Sequence, residues 1–202
     1  MGVRPPRIGV VHRATGQTSL APFIRADGRA PARWQTRVEL AWDEDRLSVH
    51  FHCSDDDAWG TYTERDAPLW QQEVVELFLA AGEAVPARYF EFEVSPAGVL
   101  FDALVGNPHG DRIGLTVDPA WNCPGIEWGA EPTRERADWR AHLAIPWRGL
   151  DLAAPPATLR ANFYRIERPR AGEPEFSCWS PTLTSPADFH RPERFGVLDL
   201  IR

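Results

Sequence analysis

The chain has 202 residues, of which 43% are hydrophobic, and this is enough for one domain with a sizeable core over residues 1–202. Its formal net charge of -7 at pH 7 excludes the basic face that nucleic acids and anionic membranes require, so we expect neither as a partner, and we expect a monomer. The three cysteines, Cys53, Cys123 and Cys178, are widely spaced, which argues against a disulfide framework or a cysteine zinc site.

The first segment, Met1 to Gln17, contains arginines but no apolar run of secretory length. No later stretch approaches the apolar length that is needed to span a bilayer. We therefore expect a soluble, cytoplasmic protein from the chain as it stands, or an extracellular one if a signal peptide has been removed.

The first clear elements form a hairpin. Val38, Leu40 and Trp42 alternate with polar or small residues, and the same alternation returns from Leu47 to Cys53. Asp43-Glu44-Asp45 lies between the two runs and is typical of a turn. The pattern predicts two antiparallel strands with one buried face.

Similar short runs follow to the end of the chain, and they are separated by Pro- and Gly-rich breakers such as Ser95-Pro96-Ala97-Gly98. Helical periodicity is nearly absent. The sequence therefore predicts an all-β protein, an antiparallel β-sandwich of jelly-roll-like form with about ten strands. Besides the hairpin, the expected strands are 73–80, 88–95, 99–105, 126–131, 138–145, 159–167, 176–180 and 195–201.

Two segments combine tryptophan with polar strand residues. Trp70 precedes an apolar strand that carries Glu73 and Glu76, and Asn162 and Arg165 precede Trp179 in the second segment. An indole face stacks well on the apolar face of a sugar ring, while strand-held polar groups reach its hydroxyls. Two such rings could grip one ligand from both sides, or both could belong to the core.

Several blocks together resemble a family 9 carbohydrate-binding module of the DOMON-like group. They are Leu47 to Asp57, Leu69-Trp70 to Leu79, Tyr89 to Gly98, Trp139 to Trp147, Asn162-Phe163-Tyr164-Arg165, Trp179-Ser180-Pro181-Thr182 and Phe189 to Gly196. The resemblance covers most of the chain. It implies a sandwich that binds the end of a gluco- or xylo-configured oligosaccharide without catalysis.

The resemblance also implies roles for particular residues. Trp70 and Trp179 would be the two walls of the ligand site, Glu76 and Asn162 match the polar positions of the family, and Arg165 is a candidate for a sugar-bonding arginine. Glu73 stands where the family often has Asp. No cofactor is required for binding, although structural calcium is implied in some members.

The acidic run Asp55-Asp56-Asp57, followed by Asp66, nearly fits a calcium loop with oxygen ligands at alternate positions. Trp59 stands where an oxygen ligand would be needed, and the flanks are strands instead of helices. Asp55, Asp57 and Asp66 are therefore candidate calcium ligands, and the alternative is a solvated acidic turn.

Some of the polar residues are also compatible with metal binding, haem binding or catalysis. His50 and His52 share one strand face and could bind zinc with a third ligand, or could simply be solvated. Met1 is the only methionine, which excludes the Met–His haem ligation of related domains. Glu76, Glu91 and Glu93 could serve a small glycan hydrolase or lyase. A sandwich used only for structure or protein interaction is the remaining alternative.

Overall fold

The computed structural model describes residues 4–132 and 138–202 and is nearly all β. Two sheets pack face to face. Among the described residues the strands are β1 (Arg7–Val11), β2 (Thr18–Ser19), β3 (Ile24–Arg25), β4 (Thr36–Trp42), β5 (Arg46–Cys53), β6 (Val74–Ala81), β7 (Arg88–Val94), β8 (Leu100–Gly106), β9 (Thr116–Asp118), β10 (Glu127–Pro132), β11 (Trp139–Pro146), β12 (Thr158–Glu167), β13 (Glu175–Cys178) and β14 (Gly196–Ile201). Short 3-10 turns cover Leu69–Gln71, Trp147–Leu150 and Pro192–Arg194.

The larger sheet has nine strands, with the order β1-β14-β12-β6-β7-β8-β9, and β13 pairs with both β12 and β3. The smaller sheet has the order β10-β11-β5-β4-β2. Pairing is antiparallel except between β1 and β14, where Arg7 lies opposite Val197 and both strands run the same way. The predicted antiparallel β-sandwich is confirmed, with this one parallel pair added.

The hairpin of β4 and β5 follows directly from its sequence. Trp42 lies opposite Leu47, and the side chain of Asp43 accepts the backbone N–H groups of Asp45 and Arg46, each at 2.9 Å. Buried residues alternate with more exposed ones along β5, as a strand with one buried face requires. The predicted turn and the buried face of the hairpin are both confirmed.

Two clusters of apolar side chains lie on the two faces of the larger sheet. The main core lies between the sheets and contains Phe51, Leu77, Phe92 and Phe163. A second cluster covers the outer face of the larger sheet and contains Phe78, Tyr164 and Phe195. Because β6 lies at the centre of this sheet, apolar residues cover it on both faces, and only its last residue is exposed. Polar side chains on its outer face are therefore buried.

The three cysteines are free and buried, in agreement with the predicted absence of a disulfide framework. No helix within the described ranges is long and apolar enough to cross a membrane.

Candidate functional site

A cleft of about 400 Å³ opens on the outer face of the larger sheet. Strands β6 and β7 form its floor, and the segments before β6, after β12 and before β14 form its walls. Its lining combines aromatic rings with charged groups: Trp70, Glu76, Phe78, Glu91, Phe101, Arg112, Val117, Ile166, Arg168, Phe176, Ala187, Asp188, Phe189 and His190. This combination is typical of a ligand site, where apolar walls surround a few placed polar groups.

Trp70 lies at the rim of this cleft, in the turn Leu69–Gln71. Trp70 is 42% exposed, whereas Leu69 before it is fully buried. The ring packs edge-on against Phe101 at 5.3 Å between ring centroids, and the Trp70 carbonyl accepts a hydrogen bond from Arg168 at 3.2 Å. The indole is therefore anchored at the rim while a large part of its surface stays exposed, which a ligand wall would require.

Trp179 does not lie opposite Trp70, which corrects the expected pair of tryptophan walls. Only 6% of Trp179 is exposed, and it belongs to the core between the sheets. Its ring meets Phe163 at 5.9 Å, and a Cβ atom built on Gly196 would lie 2.3 Å from it. The reason is the phase of strand alternation, since Phe176 and Cys178 take the outer face and Trp179 therefore points inward.

Phe176 supplies an aromatic surface to the cleft from β13. It is partly exposed, and the guanidinium of Arg168 lies over its ring at 5.5 Å from the centroid. Phe189 packs beside it at 6.1 Å and stacks on Tyr164 at 4.3 Å, so that ring is fixed in the second apolar cluster. Sequence reasoning missed Phe176 because Trp179 was the more conspicuous ring in the same segment.

Three glutamates lie together at the floor. Glu76 on β6 lies directly opposite Glu93 on β7, and Glu91 is two residues away on the same face of β7. One ligand oxygen from each lies within 4.8 Å of the others, and all three side chains are at least 95% buried. Burial is the main cause that raises the pKa of Glu91 to about 7, and burial together with the neighbouring carboxyls holds the pKa values of Glu76 and Glu93 well above the ordinary value.

The rim carries both signs of charge. Arg112 pairs with Asp188 at 3.0 Å, and this pair is largely exposed on the arginine side. His190 hydrogen-bonds the hydroxyl of Tyr89 at 2.8 Å, and burial lowers the pKa of His190 to about 4. The imidazole is therefore neutral at pH 7 and available for hydrogen bonding alone.

Asn162 and Arg165 do not reach the cleft, which corrects their expected placement beside the sugar. Asn162 is fully buried and clamps the segment after β13, because it donates to the Ser180 carbonyl at 2.8 Å and accepts the Ser180 N–H at 3.0 Å. Arg165 points to the opposite face of β12, where it donates to the Ser54 carbonyl and to Asp55, each at 2.7 Å. Both residues hold strands together.

A second acidic group surrounds Arg165. Asp55, Asp57, Glu73 and Glu167 bring ligand oxygens within 4.8 Å of one another, and Arg165 also bonds Glu167. One oxygen of Glu73 and one of Glu167 are buried without a hydrogen-bond partner. Asp66 is not part of this group. It lies beside Asp102 and 3.8 Å from Arg65, so the residues that the structure places next to Asp55 and Asp57 are Glu73 and Glu167 instead of Asp66.

His50 and His52 lie on the smaller sheet, far from the cleft in the fold. His50 stacks with His142 at 6.2 Å, and His52 pairs with Glu39 at 3.3 Å. Within the described residues, the two glutamate-containing groups are where three or more potential ligand atoms converge within 4.8 Å. A third ligand for zinc beside His50 and His52 is therefore not brought within this distance among the described residues.

A larger hollow of about 560 Å³ lies beside Cys53 and Trp139. Its wall includes Asp138 and thus adjoins residues 133–137, which lie outside the described ranges. The cleft at Trp70 is the better candidate because it combines an exposed indole with buried carboxyl groups.

Comparison with known sequences now decides the family. The profile of carbohydrate-binding family 9 matches residues 29–200. The chain belongs to carbohydrate-binding family 9. The family consists of noncatalytic carbohydrate-binding modules, so the resemblance is confirmed and the hydrolase alternative for Glu76, Glu91 and Glu93 is not retained.

A curated relative, an "Extracellular protein" of Arthroderma benhamiae (strain ATCC MYA-4681 / CBS 112371), is 27% identical over 195 residues, covering 90% of this chain and 88% of the relative. A solved structure of a candidate carbohydrate-binding protein from Bacteroides uniformis ATCC 8492 has a TM-score of 0.78 at 16% identity, covering 97% of this chain and 99% of that one. It shows the same fold.

A family 9 module from Caldicellulosiruptor kristjanssonii, solved with cellotriose, has a TM-score of 0.62 at 14% identity and covers 96% of this chain and 93% of that one. The glucose complex of such a module from the same organism gives a TM-score of 0.61 at 15% identity, with 96% and 95% covered. At these identities the structures support the sandwich fold of this family 9 chain and do not identify its ligand.

Proposed function

We propose that the cleft beside Trp70 binds a gluco- or xylo-configured sugar ring, either within an oligosaccharide or at its end. The observation that carries this proposal is the exposed indole of Trp70 above a floor of buried carboxyl groups. The cellotriose and glucose complexes of the structurally similar modules support a glucose-based ligand.

The walls and the floor of the cleft make different contacts with the sugar. Axial C–H groups of a pyranose stack on Trp70, and Phe176 offers the second apolar surface that Trp179 does not supply. Such ring contacts contribute about 1 kcal/mol each beyond the area that they bury. Glu76 lines the floor, and burial together with the neighbouring Glu91 holds its pKa well above the ordinary value. It therefore meets sugar hydroxyls as a protonated carboxyl, which can both donate and accept hydrogen bonds.

The test is a calorimetric titration of cellotriose and xylotriose into wild type, Trp70→Ala and Trp121→Ala. Trp121 is a matched control because it is partly buried and packs against Phe90 at 4.8 Å, in the core on the opposite side of the sheet. Trp70→Ala should weaken binding about tenfold, since one ring contributes ~1–2 kcal/mol. Trp121→Ala should bind normally when folded. Equal affinity in wild type and Trp70→Ala would remove Trp70 from the site.

We also propose a structural calcium ion at the group formed by Asp55, Asp57, Glu73 and Glu167. The donor set is all oxygen, as calcium prefers, and the orphaned oxygens of Glu73 and Glu167 leave acceptor capacity that Arg165 does not use. Bound calcium would supply positive charge between these carboxylates.

The calcium proposal is tested by thermal unfolding after chelator treatment, with and without millimolar calcium. A ligand that binds only the native state raises the melting temperature by mass action. Glu73→Gln removes one charged donor and should weaken the shift, whereas Asp66→Asn should leave it intact because Asp66 lies outside the group. A melting temperature that is unchanged by both calcium and chelator would contradict the proposal.

The similarity to a fungal protein named as extracellular supports an extracellular location for this chain. The cytoplasmic location expected from the sequence receives no support from that relative. Fractionation of the native source organism, with antibody detection in culture medium and cell lysate, distinguishes the two.

A further inference from the structure

The three glutamates at the cleft floor are an unusual arrangement for a buried sheet. Glu76 and Glu93 occupy directly opposed positions on β6 and β7, where like charges are destabilising. Burial makes the conflict stronger, because an uncompensated charge loses its hydration. A sequence that places such a conflict beside an open cleft usually does so for function.

Among the described residues, no arginine forms an ion pair with these side chains. One oxygen of Glu91 and one of Glu93 are buried with no hydrogen-bond partner, and those two residues are 5% and 1% exposed. The two arginines that line the cleft have closer partners: Arg112 pairs with Asp188, and Arg168 bonds the Trp70 carbonyl and lies over Phe176. Glu76 and Glu91 line the cleft itself, so unused acceptor capacity lies directly beneath its surface.

We infer that Glu76 and Glu91, with Glu93 beside them, bind the ammonium group of an amino sugar, so that the preferred ligand is a glucosamine-containing oligosaccharide. This inference rests on the proposed sugar site and makes its ligand class more specific. A primary ammonium has three N–H donors, which Glu76 and Glu91 can accept, and the carboxyl group of Glu93 adds negative charge next to them. Phe78 and Phe101 also line this part of the cleft, and their ring faces favour an organic cation.

A divalent metal ion fits this place less well. Calcium takes six to eight oxygen ligands and magnesium requires near-octahedral oxygen geometry. Besides the glutamates, Asp188 and His190 in the cleft lining could offer such ligands, but Asp188 pairs with Arg112 and His190 bonds the Tyr89 hydroxyl. The sugar amine brings its own apolar ring to the aromatic walls and needs only hydrogen-bond acceptors at the floor.

The protonation of the glutamates at the cleft floor is also consistent with an amino sugar as the ligand. Without an amine, the carboxyl groups avoid mutual repulsion by holding protons, and burial raises the pKa of Glu91 to about 7. An ammonium favours their ionised form, so binding of the charged amine should release protons from the floor. The other charged or titratable groups around this floor are Tyr89, Arg112, Tyr164, Arg168, Asp188 and His190.

The experiment compares three trimers by calorimetry at 0.15 M salt: cellotriose, the β-1,4 trimer of glucosamine and its fully N-acetylated form. Each is titrated into wild type, Glu91→Gln, Glu93→Gln and Glu127→Gln. Glu127 lies on β10 of the smaller sheet with a 65% exposed side chain, so its substitution removes one negative charge away from the cleft. Thermal unfolding of each variant confirms that it is folded.

Wild type should bind the glucosamine trimer at least about tenfold more tightly than cellotriose, and the N-acetylated trimer should lack this gain. Glu91→Gln and Glu93→Gln should lose most of the preference, and Glu127→Gln should keep it. Equal affinity for cellotriose and the glucosamine trimer would overturn the inference and leave the sugar site standing. A preference that survives both cleft variants would also overturn it, since general attraction to an acidic protein would then suffice. Binding of none of the trimers would overturn the proposed function together with the inference.

Discussion

Glu91→Gln should stabilise the free protein at neutral and higher pH but not in mild acid. The pKa of the Glu91 carboxyl is raised to about 7 in the folded state by burial, whereas the ordinary value is 4.5. Below pH 4.5 the Glu91 carboxyl is protonated in both the folded and the unfolded chain, so it does not change the free energy of unfolding. As pH rises from 4.5 to 7, this carboxyl ionises in the unfolded chain but stays protonated in the folded one. The free energy of unfolding therefore falls.

The size of this effect follows from the separation between the two pKa values. A carboxyl that titrates at about 7 instead of 4.5 costs the folded protein about 3 kcal/mol once pH exceeds 7. Glutamine fills the same space without a charge and removes this cost. The free energy of unfolding of Glu91→Gln should therefore exceed that of wild type by up to about 3 kcal/mol at pH 8, and the two should agree at pH 4.5.

Urea unfolding followed by tryptophan fluorescence at several pH values measures this difference. The pKa of His190 is lowered to about 4. His190 is present in both wild type and Glu91→Gln, so its contribution to the pH dependence of stability largely cancels in their difference. Glu127→Gln provides the exposed control and should track wild type at every pH. If Glu91→Gln were less stable than wild type at pH 8, Glu91 would be ionised and favourably paired in the folded protein. The conclusion that burial of this carboxyl destabilises the fold at high pH would then be wrong.

Two further predictions concern residues that the structure removes from the ligand site. Trp179→Ala should lower the free energy of unfolding by about 3–5 kcal/mol, the usual cost of emptying a large core position, while folded protein keeps its sugar affinity. Arg165→Ala should cost about 3–5 kcal/mol because it leaves Asp55 and Glu167 as unpaired buried charges. Urea titrations and calorimetry check both, and a stable Trp179→Ala that no longer binds would restore Trp179 to the site.

Strand patterns predicted the fold well wherever one face of a strand is exposed. The hairpin of β4 and β5 is the clearest case, because alternation and the Asp43 turn specify the same register. Strand β1 was not predicted, because Arg7–Val11 is short and pairs in parallel with β14 at the other end of the chain. A pairing between residues so distant leaves no local pattern.

The site could be predicted in part for the same reason. Trp70 and Glu76 were found because they flank and occupy one recognisable strand, and the structure brings both into the cleft. Trp179 was misplaced because its inward direction depends on the phase of β13, which only the pairing with β12 fixes. Asn162 and Arg165 were misplaced because their partners, Ser180 and Asp55, come from distant segments.

A crystal structure of the protein with cellotriose would show directly whether a sugar ring binds beside Trp70. We expect one glucose ring stacked on the exposed surface of Trp70, with a hydroxyl within hydrogen-bond distance of Glu76 and with Phe176 on the other side of the cleft. Ordered cellotriose bound elsewhere, for example in the hollow beside Trp139, with no sugar at Trp70, would contradict it.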